Sequence, residues 1–315
     1  MSRIRRLLRP IGLLLFALAF AAPPGAAART LQVGPDKPYK QPSAAIKDAK
    51  DGDTVQIAAG EYFDCALVPV NNLVIEGTGP DASAVLTDKT CAGKALLVTS
   101  GANITIRNLT LARARVPDRN GAGIRAEGKG LTIEHVKFIN NEDGILAAAV
   151  PDGTITIRDS EFTRNGHCDG DCAHGIYVNT LALLHIEHSK FFETRQGHHI
   201  KSRALRTEVI GCDIRDGPNG TASYEIEAPN GGSLVVRDST IEKGPKAENH
   251  TAIIMIGSEG VTQPTREITV ENNTVRNDGN FPTTFVYNIT ATEAKLKGNK
   301  LIGTIEPLHG DGTVQ

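Results

Sequence analysis

The sequence predicts an all-β solenoid, a parallel β-helix, on three observations. Eight segments stack in register: 104–111 (ITIRNLTL), 131–138 (LTIEHVKF), 155–162 (ITIRDSEF), 184–191 (LHIEHSKF), 207–214 (TEVIGCDI), 234–241 (LVVRDSTI), 268–275 (ITVENNTV) and 294–301 (AKLKGNKL). Each alternates apolar with polar residues, passes an Asn, Asp, Gly or His bend, and ends on another apolar anchor, which is the pattern of a half-buried strand. Their starts lie 27, 24, 29, 23, 27, 34 and 26 residues apart with no helical pattern between them, and a period of that size means a solenoid or an array. In such a coil each rung lies ~4.8 Å above the last. Equivalent positions in successive rungs become neighbours, so the sequence is read vertically.

Residues 1–28 stand outside the repeat. Arg3, Arg5, Arg6 and Arg9 precede an apolar stretch, 11–22, that is short for a membrane span, and Ala26-Ala27-Ala28 offers a small-residue cleavage site before Arg29. This is the pattern of a secretory signal peptide. An exported protein, periplasmic or extracellular, is expected, with no membrane insertion after cleavage. Loss of the four arginines leaves 30 basic residues against 36 acidic ones, a net charge of −6. A mildly acidic chain has no global pull on nucleic acid or anionic membrane, so a bound polyanion must be held by a local basic cluster. There is no Trp and only 4% aromatic residues, which weighs against a module that binds neutral glycans by stacking. Five cysteines in an exported chain allow two disulfides and one thiol. Cys168 and Cys172 bracket the loop CDGDC, Cys65 and Cys91 lie near the start of the coil, and Cys212 falls in an inward small-residue row with Ser160, Ser189 and Ser239. A zinc set of Cys168, Cys172, His167 and His174 matches no standard spacing.

The stretch 31–62 (LQVGPDKPYKQPSAAIKDAKDGDTVQIAAGEY) reads as a strand, a short amphipathic helix over 42–49, a DGD turn and a strand ending in GEY. It resembles the N-terminal cap of bacterial right-handed parallel β-helix proteins of the pectate-lyase-like superfamily. The resemblance implies a helix covering the open end of the coil, where core and strand edges would otherwise be exposed. With the rungs it covers essentially 30–305, giving one domain, 29–305, and a loose C-terminal tail, 306–315. Longer rungs mark loops that leave the coil at 164–173, 244–250 and 258–266, with a shorter insertion at 116–120. Loops on one flank of a solenoid wall its binding groove.

A second strand of each rung also aligns: GAGIRAE, EDGILAA, AHGIYVN, GHHIKSR and ASYEIEAP. With Ile124, Ile145, Ile176, Ile200 and Ile226 inward, the flanking residues are expected to project outward. The row after the isoleucines is Arg125, Leu146, Tyr177, Lys201 and Glu227. The row before is Gly123, Gly144, Gly175, His199 and Glu225. Two before comes Ala122, Asp143, His174, His198 and Tyr224, and Arg203 lies further out. The candidate catalytic residues are His174, Tyr177, His198 and Lys201; the candidate substrate-binding residues are Arg203, His199, Tyr224, Glu225, Glu227, Asn230 and Arg125. The plain alternative is structural. His174 and His198 then make ladder hydrogen bonds, Lys201 pairs with Glu225 or Glu227, and Tyr177 covers the sheet.

AHGIYV, GHHIKSRA, TASYEIEAPNGG and GPKAENHTAI, over roughly residues 165 to 255, resemble a set of exported proteobacterial β-helix proteins. The resemblance implies a shared site at His174, Tyr177, His198, Lys201, Arg203, Tyr224, Glu225 and Asn230, and it brings no substrate. The wider superfamily acts mostly on acidic polysaccharides, and fold alone does not choose a reaction. β-Elimination from a uronate needs a base for the C5 proton, donors or cations for the enolate, and an acid for the leaving oxygen. Lys201 and Arg203 suit the carboxylate, His198 or His174 suits the base, and Tyr177 suits either acid or base. A lyase that needs no cofactor is the leading reading. Calcium-assisted chemistry would draw on Asp143, Glu225 and Glu227 and is less favoured. The alternatives are a uronate C5-epimerase, a glycoside hydrolase using Glu225 and Glu227 (~7 Å apart on one strand), and a non-catalytic polysaccharide-binding or scaffold protein. Oligomeric state is not written in the sequence.

Overall fold

The computed structural model describes residues 27–315, so the signal segment expected at 1–28 lies, but for its last two residues, outside them. Three parallel sheets form the faces of one right-handed coil. Each of the eight repeats divides at its bend. The leading half, such as Ile104–Arg107 or Leu131–Glu134, joins a twelve-stranded first sheet. The trailing half, such as Leu109–Ala112 or Lys137–Ile139, joins a ten-stranded second sheet. The third sheet, also ten-stranded, carries Ala122–Ala126, Asp143–Ala147, Ile176–Val178, His198–Ser202 and Tyr224–Ala228.

The bends explain the Asn/Asp/Gly/His row. Asn108, His135, Asp159, His188, Gly211, Asp238, Asn272 and Gly298 all have φ between +48° and +65°. Gly reaches that left-handed region without a Cβ clash, and Asn, Asp and His tolerate it better than most residues. One column of left-handed residues therefore turns every rung at the same height. At this same corner, where the leading and trailing strands part, backbone N–H groups lose ladder partners and side chains replace them. Ser160 Oγ accepts from Val136 N at 3.1 Å, Ser189 Oγ from Ser160 N at 3.2 Å, and Ser239 Oγ from Cys212 N at 3.0 Å. Cys212 sits in this row as a buried thiol, as its alignment predicts, with burial pushing it up to about 11.

The interior is aliphatic with an aromatic spine: Phe138, Phe162 and Phe191 stack at centroid distances of 4.5 and 4.7 Å. At the N-terminal end the helix Pro42–Asp48 buries Ala45 and Ile46 over the first strands. Proline at its start is favourable because the N–H it lacks would have no partner there. The coil begins earlier than the eight repeats, with Thr54–Ile57 and Val74–Gly77 as additional strands of the first sheet. It also ends later. The expected loose tail, 306–315, instead supplies Ile305–His309, which pairs with Thr283–Asn288, and Gly312–Val314, which pairs with Ala294–Lys297. Its polar residues hid this last rung, because the terminal rung has no neighbour beyond it demanding an apolar face. Cys65 bonds Cys91 and Cys168 bonds Cys172, a pattern that fits an exported protein and leaves no thiolates at 168 and 172 for zinc. Among the described residues no helix is long and apolar enough to cross a membrane.

Two measurements check this account. Thiol titration of the unreduced protein should find none in the folded state and one in denaturant. Phe162→Ala, which empties the centre of the spine, should cost about 3–5 kcal/mol in urea unfolding; a loss below about 1 kcal/mol would mean the stack is not a core element.

Candidate functional site

The third sheet places the predicted rows with one correction. Pairing runs Arg125–Leu146–Tyr177–Lys201–Glu227 along one outward row. A second row carries Asp143, His174, His198 and Tyr224, with the His174 and His198 rings 4.8 Å apart and those of His198 and Tyr224 5.1 Å apart. The row between them is not outward. The ladder skips Gly123, Gly144, His199 and Glu225, and these positions turn into the coil. A Cβ on Gly123 would lie 2.8 Å from Phe138, and one on Gly144 2.8 Å from Phe162. The glycines are there because the phenyl spine fills the space.

His199 and Glu225 are thus interior residues, not substrate contacts. His199 is fully buried, with Nε2 3.1 Å from Asp216 Oδ1 and Nδ1 2.7 Å from Thr194 Oγ1. Glu225 lies 3.3 Å from Lys243 Nζ, both wholly enclosed, and burial pushes its carboxyl well above the usual range. The Glu225/Glu227 hydrolase pair therefore fails: the two carboxylates face opposite sides of the sheet. Arg125 also stands apart. It lies two rungs from Tyr177 with Leu146 between, and its Nε is 3.5 Å from Glu127.

Five of the remaining predicted residues share one groove of about 830 Å³, while Tyr224, Glu227 and Asn230 do not line it and instead contact His198, Lys201 and Arg203 from behind or beside it. His174, Tyr177, His198, Lys201 and Arg203 line it, with Asp143 at one end. All four insertions wall it: Asp118 and Asn120 from the first, Gly170 to Cys172 of the disulfide-closed hairpin from the second, Glu248 from the third and Glu259 from the fourth. Sequence reasoning located these loops but not the carboxylates on them, since loop residues carry no period.

Backbone hydrogen bonds orient the two histidines. His174 Nδ1 accepts from the backbone N–H of His198 at 3.0 Å, and His198 Nδ1 accepts from that of Tyr224 at 3.3 Å. In its neutral form each imidazole is therefore the Nε2–H tautomer. Burial, then the neighbouring His198, Lys201 and Arg203, hold His174 well below the ordinary histidine range, so it stays neutral and presents an N–H to the groove. His198 Nε2 lies 2.9 Å from Glu227 Oε2, and Lys201 Nζ lies 3.2 Å from the same oxygen. Neither contact is well aligned as a hydrogen bond, so the oxygen is held mainly by charge. The other Glu227 oxygen accepts from Ser258 Oγ at 2.6 Å. Burial alone would raise Glu227; His198, Lys201 and Ser258 overcome it and hold the carboxylate at about 2. The ladder bonds and the Lys201–Glu227 pair expected under a structural reading are thus present, within an open groove.

On the other row, Arg203 Nε donates to Tyr177 Oη at 3.0 Å, and Arg203 Nη1 donates to Asn230 Oδ1. Lys201 Nζ and the Arg203 guanidinium lie 5.7 and 5.5 Å from the Tyr177 ring centre. The His174 ring meets that of Tyr177 edge-on at 5.2 Å. Asp143 accepts from His174 N at 2.7 Å, yet its near-complete burial keeps its carboxyl well above the usual range. The groove therefore gathers a phenol hydrogen-bonded to Arg203, two imidazoles oriented by backbone N–H groups, and the cations Lys201 and Arg203 within a few ångströms.

The chain belongs to the right-handed β-helix family: the family described as "Right handed beta helix region" matches residues 70–214 and 150–308. It shares its fold with an alginate lyase from Paenibacillus sp. str. FPU-7, at 17% identity, over 89% of this chain and 99% of that one, with a TM-score of 0.52. More distant likenesses are a rice weevil pectin methyl esterase (10% identity, 90% and 92% of the two chains, TM-score 0.44) and the A-module of an Azotobacter vinelandii mannuronan C-5 epimerase (15%, 87% and 95%, TM-score 0.40). No curated protein matches the sequence.

The depressed carboxyl of Glu227 has a measurable consequence. Because its folded value lies below the unfolded one, its stabilisation is complete above about pH 4.5 and disappears as pH falls toward 2. Unfolding free energies of the wild type and Glu227→Gln should converge over that window, from a gap on the order of 2–3 kcal/mol at pH 7. A gap that does not change with pH would show that Glu227 is not held ionised by its neighbours.

Proposed function

We propose that the protein is an exported polysaccharide lyase that cleaves a uronate-containing polymer by β-elimination at the Tyr177 groove, without a metal. The observation that carries the reading is the Arg203 Nε–H donated to Tyr177 Oη beside Lys201 and the neutral His174. A phenolate there is paired with a cation, and the groups that would receive a uronate carboxylate stand on the next rung.

The base falls to Tyr177 by elimination among the candidates. His198 has Nδ1 occupied by a backbone donor and Nε2 2.9 Å from Glu227 Oε2. His174 has Nδ1 occupied in the same way, which leaves it an Nε2–H to donate. Tyr177 Oη takes the C5 proton, and the C5–H electrons form the C4–C5 double bond as the C4–O bond breaks. Lys201 and Arg203 hold the carboxylate, and His174 donates to the oxygen that gains charge in the enolate, the kind of preorganised donor that accounts for most such rate gains. The phenol, now protonated, returns its proton to the departing glycosidic oxygen when both bonds lie on one face of the sugar. Glu227 positions His198 and Lys201. The alginate lyase that shares the fold is one protein in which this scaffold carries a lyase.

The test is absorbance near 235 nm with mature protein and a panel of uronate polymers, with and without chelator. A rise that survives chelation, and that falls about 10²–10⁴-fold in Tyr177→Phe, is expected. His198→Ala should lower the rate by loosening the site while leaving weak turnover. A flat trace accompanied by inversion at C5 in the polymer's NMR spectrum would replace the lyase with an epimerase. A flat trace with retained polymer binding would make the groove a binding site.

A further inference from the structure

Glu259 occupies the place that a substrate carboxylate needs. Its Oε1 lies 2.7 Å from Lys201 Nζ and its Oε2 lies 2.6 Å from Arg203 Nη2, so one carboxylate spans both cations of the groove floor. Burial alone would raise this carboxyl; the bonds from Lys201 and Arg203 bring it below the usual range. It is no fixture of the coil. Glu259 sits at the tip of the fourth insertion, with 42% of its side chain exposed. It lies between Gly257 and Gly260, whose φ values of +92° and +91° put the tip in a conformation other residues rarely adopt. Apart from these ion pairs, the tip is held by Gly257 N donating to Ala228 O, Glu259 N to Pro229 O, Thr262 N and Gln263 N to Asn230 O, Ser258 Oγ to Glu227 and Asn230 Nδ2 to Gly260 O. The part free to leave is therefore the Glu259 side chain. The neighbouring Val261 is exposed.

We propose that Glu259 is a specificity-determining residue, a carboxylate placeholder that only a sugar bearing a free carboxylate displaces without loss. The inference rests on the lyase reading of the same groove and narrows its substrate to unesterified uronates. An incoming carboxylate exchanges one ion pair for another, and Glu259 returns to water on its exposed loop. A neutral or methyl-esterified sugar that pushes Glu259 aside leaves Arg203 with no carboxylate and Lys201 with Glu227 alone, both partly desolvated, which is costly. Discrimination thus comes from a competitor built into the site as well as from attraction, the general way in which specificity exceeds affinity. Glu227, which also contacts Lys201, does not serve this purpose because it is buried beneath the floor and held by Ser258.

The experiment compares wild type with Glu259→Gln in two readouts. The first is calorimetric binding of trimers of mannuronate, guluronate and galacturonate, each as free acid and as methyl ester. The free-acid trimer that binds wild type should bind the variant roughly 3- to 10-fold more tightly. The ester, rejected by wild type, should gain as much or more, so the acid-to-ester preference narrows. The second readout is backbone amide hydrogen exchange over 257–261 without ligand, which should speed up in the variant. Unchanged or weaker acid binding in Glu259→Gln, with wild type binding, would overturn the placeholder and make Glu259 a part of the substrate site. Unchanged exchange would overturn it as well. If no trimer binds either protein while exchange rises, the ion pairs hold the loop as described and the lyase reading falls instead.

Discussion

In-register parallel stacking is the constraint on which the molecule depends. Each strand pairs with its counterpart one rung away, residue for residue, so a chemical choice at one position is repeated or contrasted ~4.8 Å above and below. Stacking of like on like is favourable for apolar rows, and the Phe138–Phe162–Phe191 spine and the isoleucine rows use it. It is unfavourable for like charges, which is why the outward row alternates character: Leu146, Tyr177, Lys201, Glu227, Met255. A lysine directly above a tyrosine and below a glutamate is a stable sequence for that row, and it also assembles a site. Catalytic proximity here comes from the same register that forms the core.

Insertions are confined by the same rule. A residue added within a strand would shift every side chain above the core to the wrong face, so extra length is tolerated only where the chain leaves a sheet. The first three insertions lie between a strand of the second sheet and one of the third, and the fourth between the third and the first, so all four border the third sheet and contribute to one groove. The scaffold supplies the floor and the loops supply the walls. A carboxylate on a loop, such as Glu259, can then move without any rung changing its register.

Much of this was legible from residues 104–301 alone. The left-handed bend row, the small-residue corner with Cys212 and the vertical neighbours Tyr177–Lys201–Glu227 all follow from alignment of the repeats, because in a solenoid alignment is geometry. His199 and Glu225 were misread for a definite reason. Strict alternation puts them outward, but the ladder skips that position in successive rungs and the chain kinks, so two consecutive residues, His199 and Ile200, both face inward. Periodicity describes a regular strand and has no symbol for a repeated kink. The signal that was available lay in the glycines: Gly123, Gly144 and Gly175 make sense only at a crowded inward position. The last rung and the Glu259 contacts were not legible. The first lacks an apolar pattern, and the second depends on a loop fold that no period specifies.

The inward turn of that row explains why polar pairs are buried directly beneath the site. His198 and Lys201 face the groove with Glu227 buried beneath them, while the strand neighbours His199 and Glu225 reach inward to Asp216 and Lys243. Asp216 also accepts from the backbone N–H of Gly244 at 3.0 Å, and Lys243 donates to Ser223 O at 2.9 Å. Aliphatic residues in these places would save the desolvation cost and, by volume, would stabilise the coil at least as well. What they would not do is bond to particular backbone atoms at the ends of the two strands. Ser223 immediately precedes Tyr224, whose N–H fixes the tautomer of His198, and Gly244 opens the loop that carries Glu248 into the groove. The interior polar cluster therefore constrains the height and rotation of the strands that bear the site. The hydrogen-bonded positions of the imidazoles then follow from the backbone, with the side chains having little freedom left to choose.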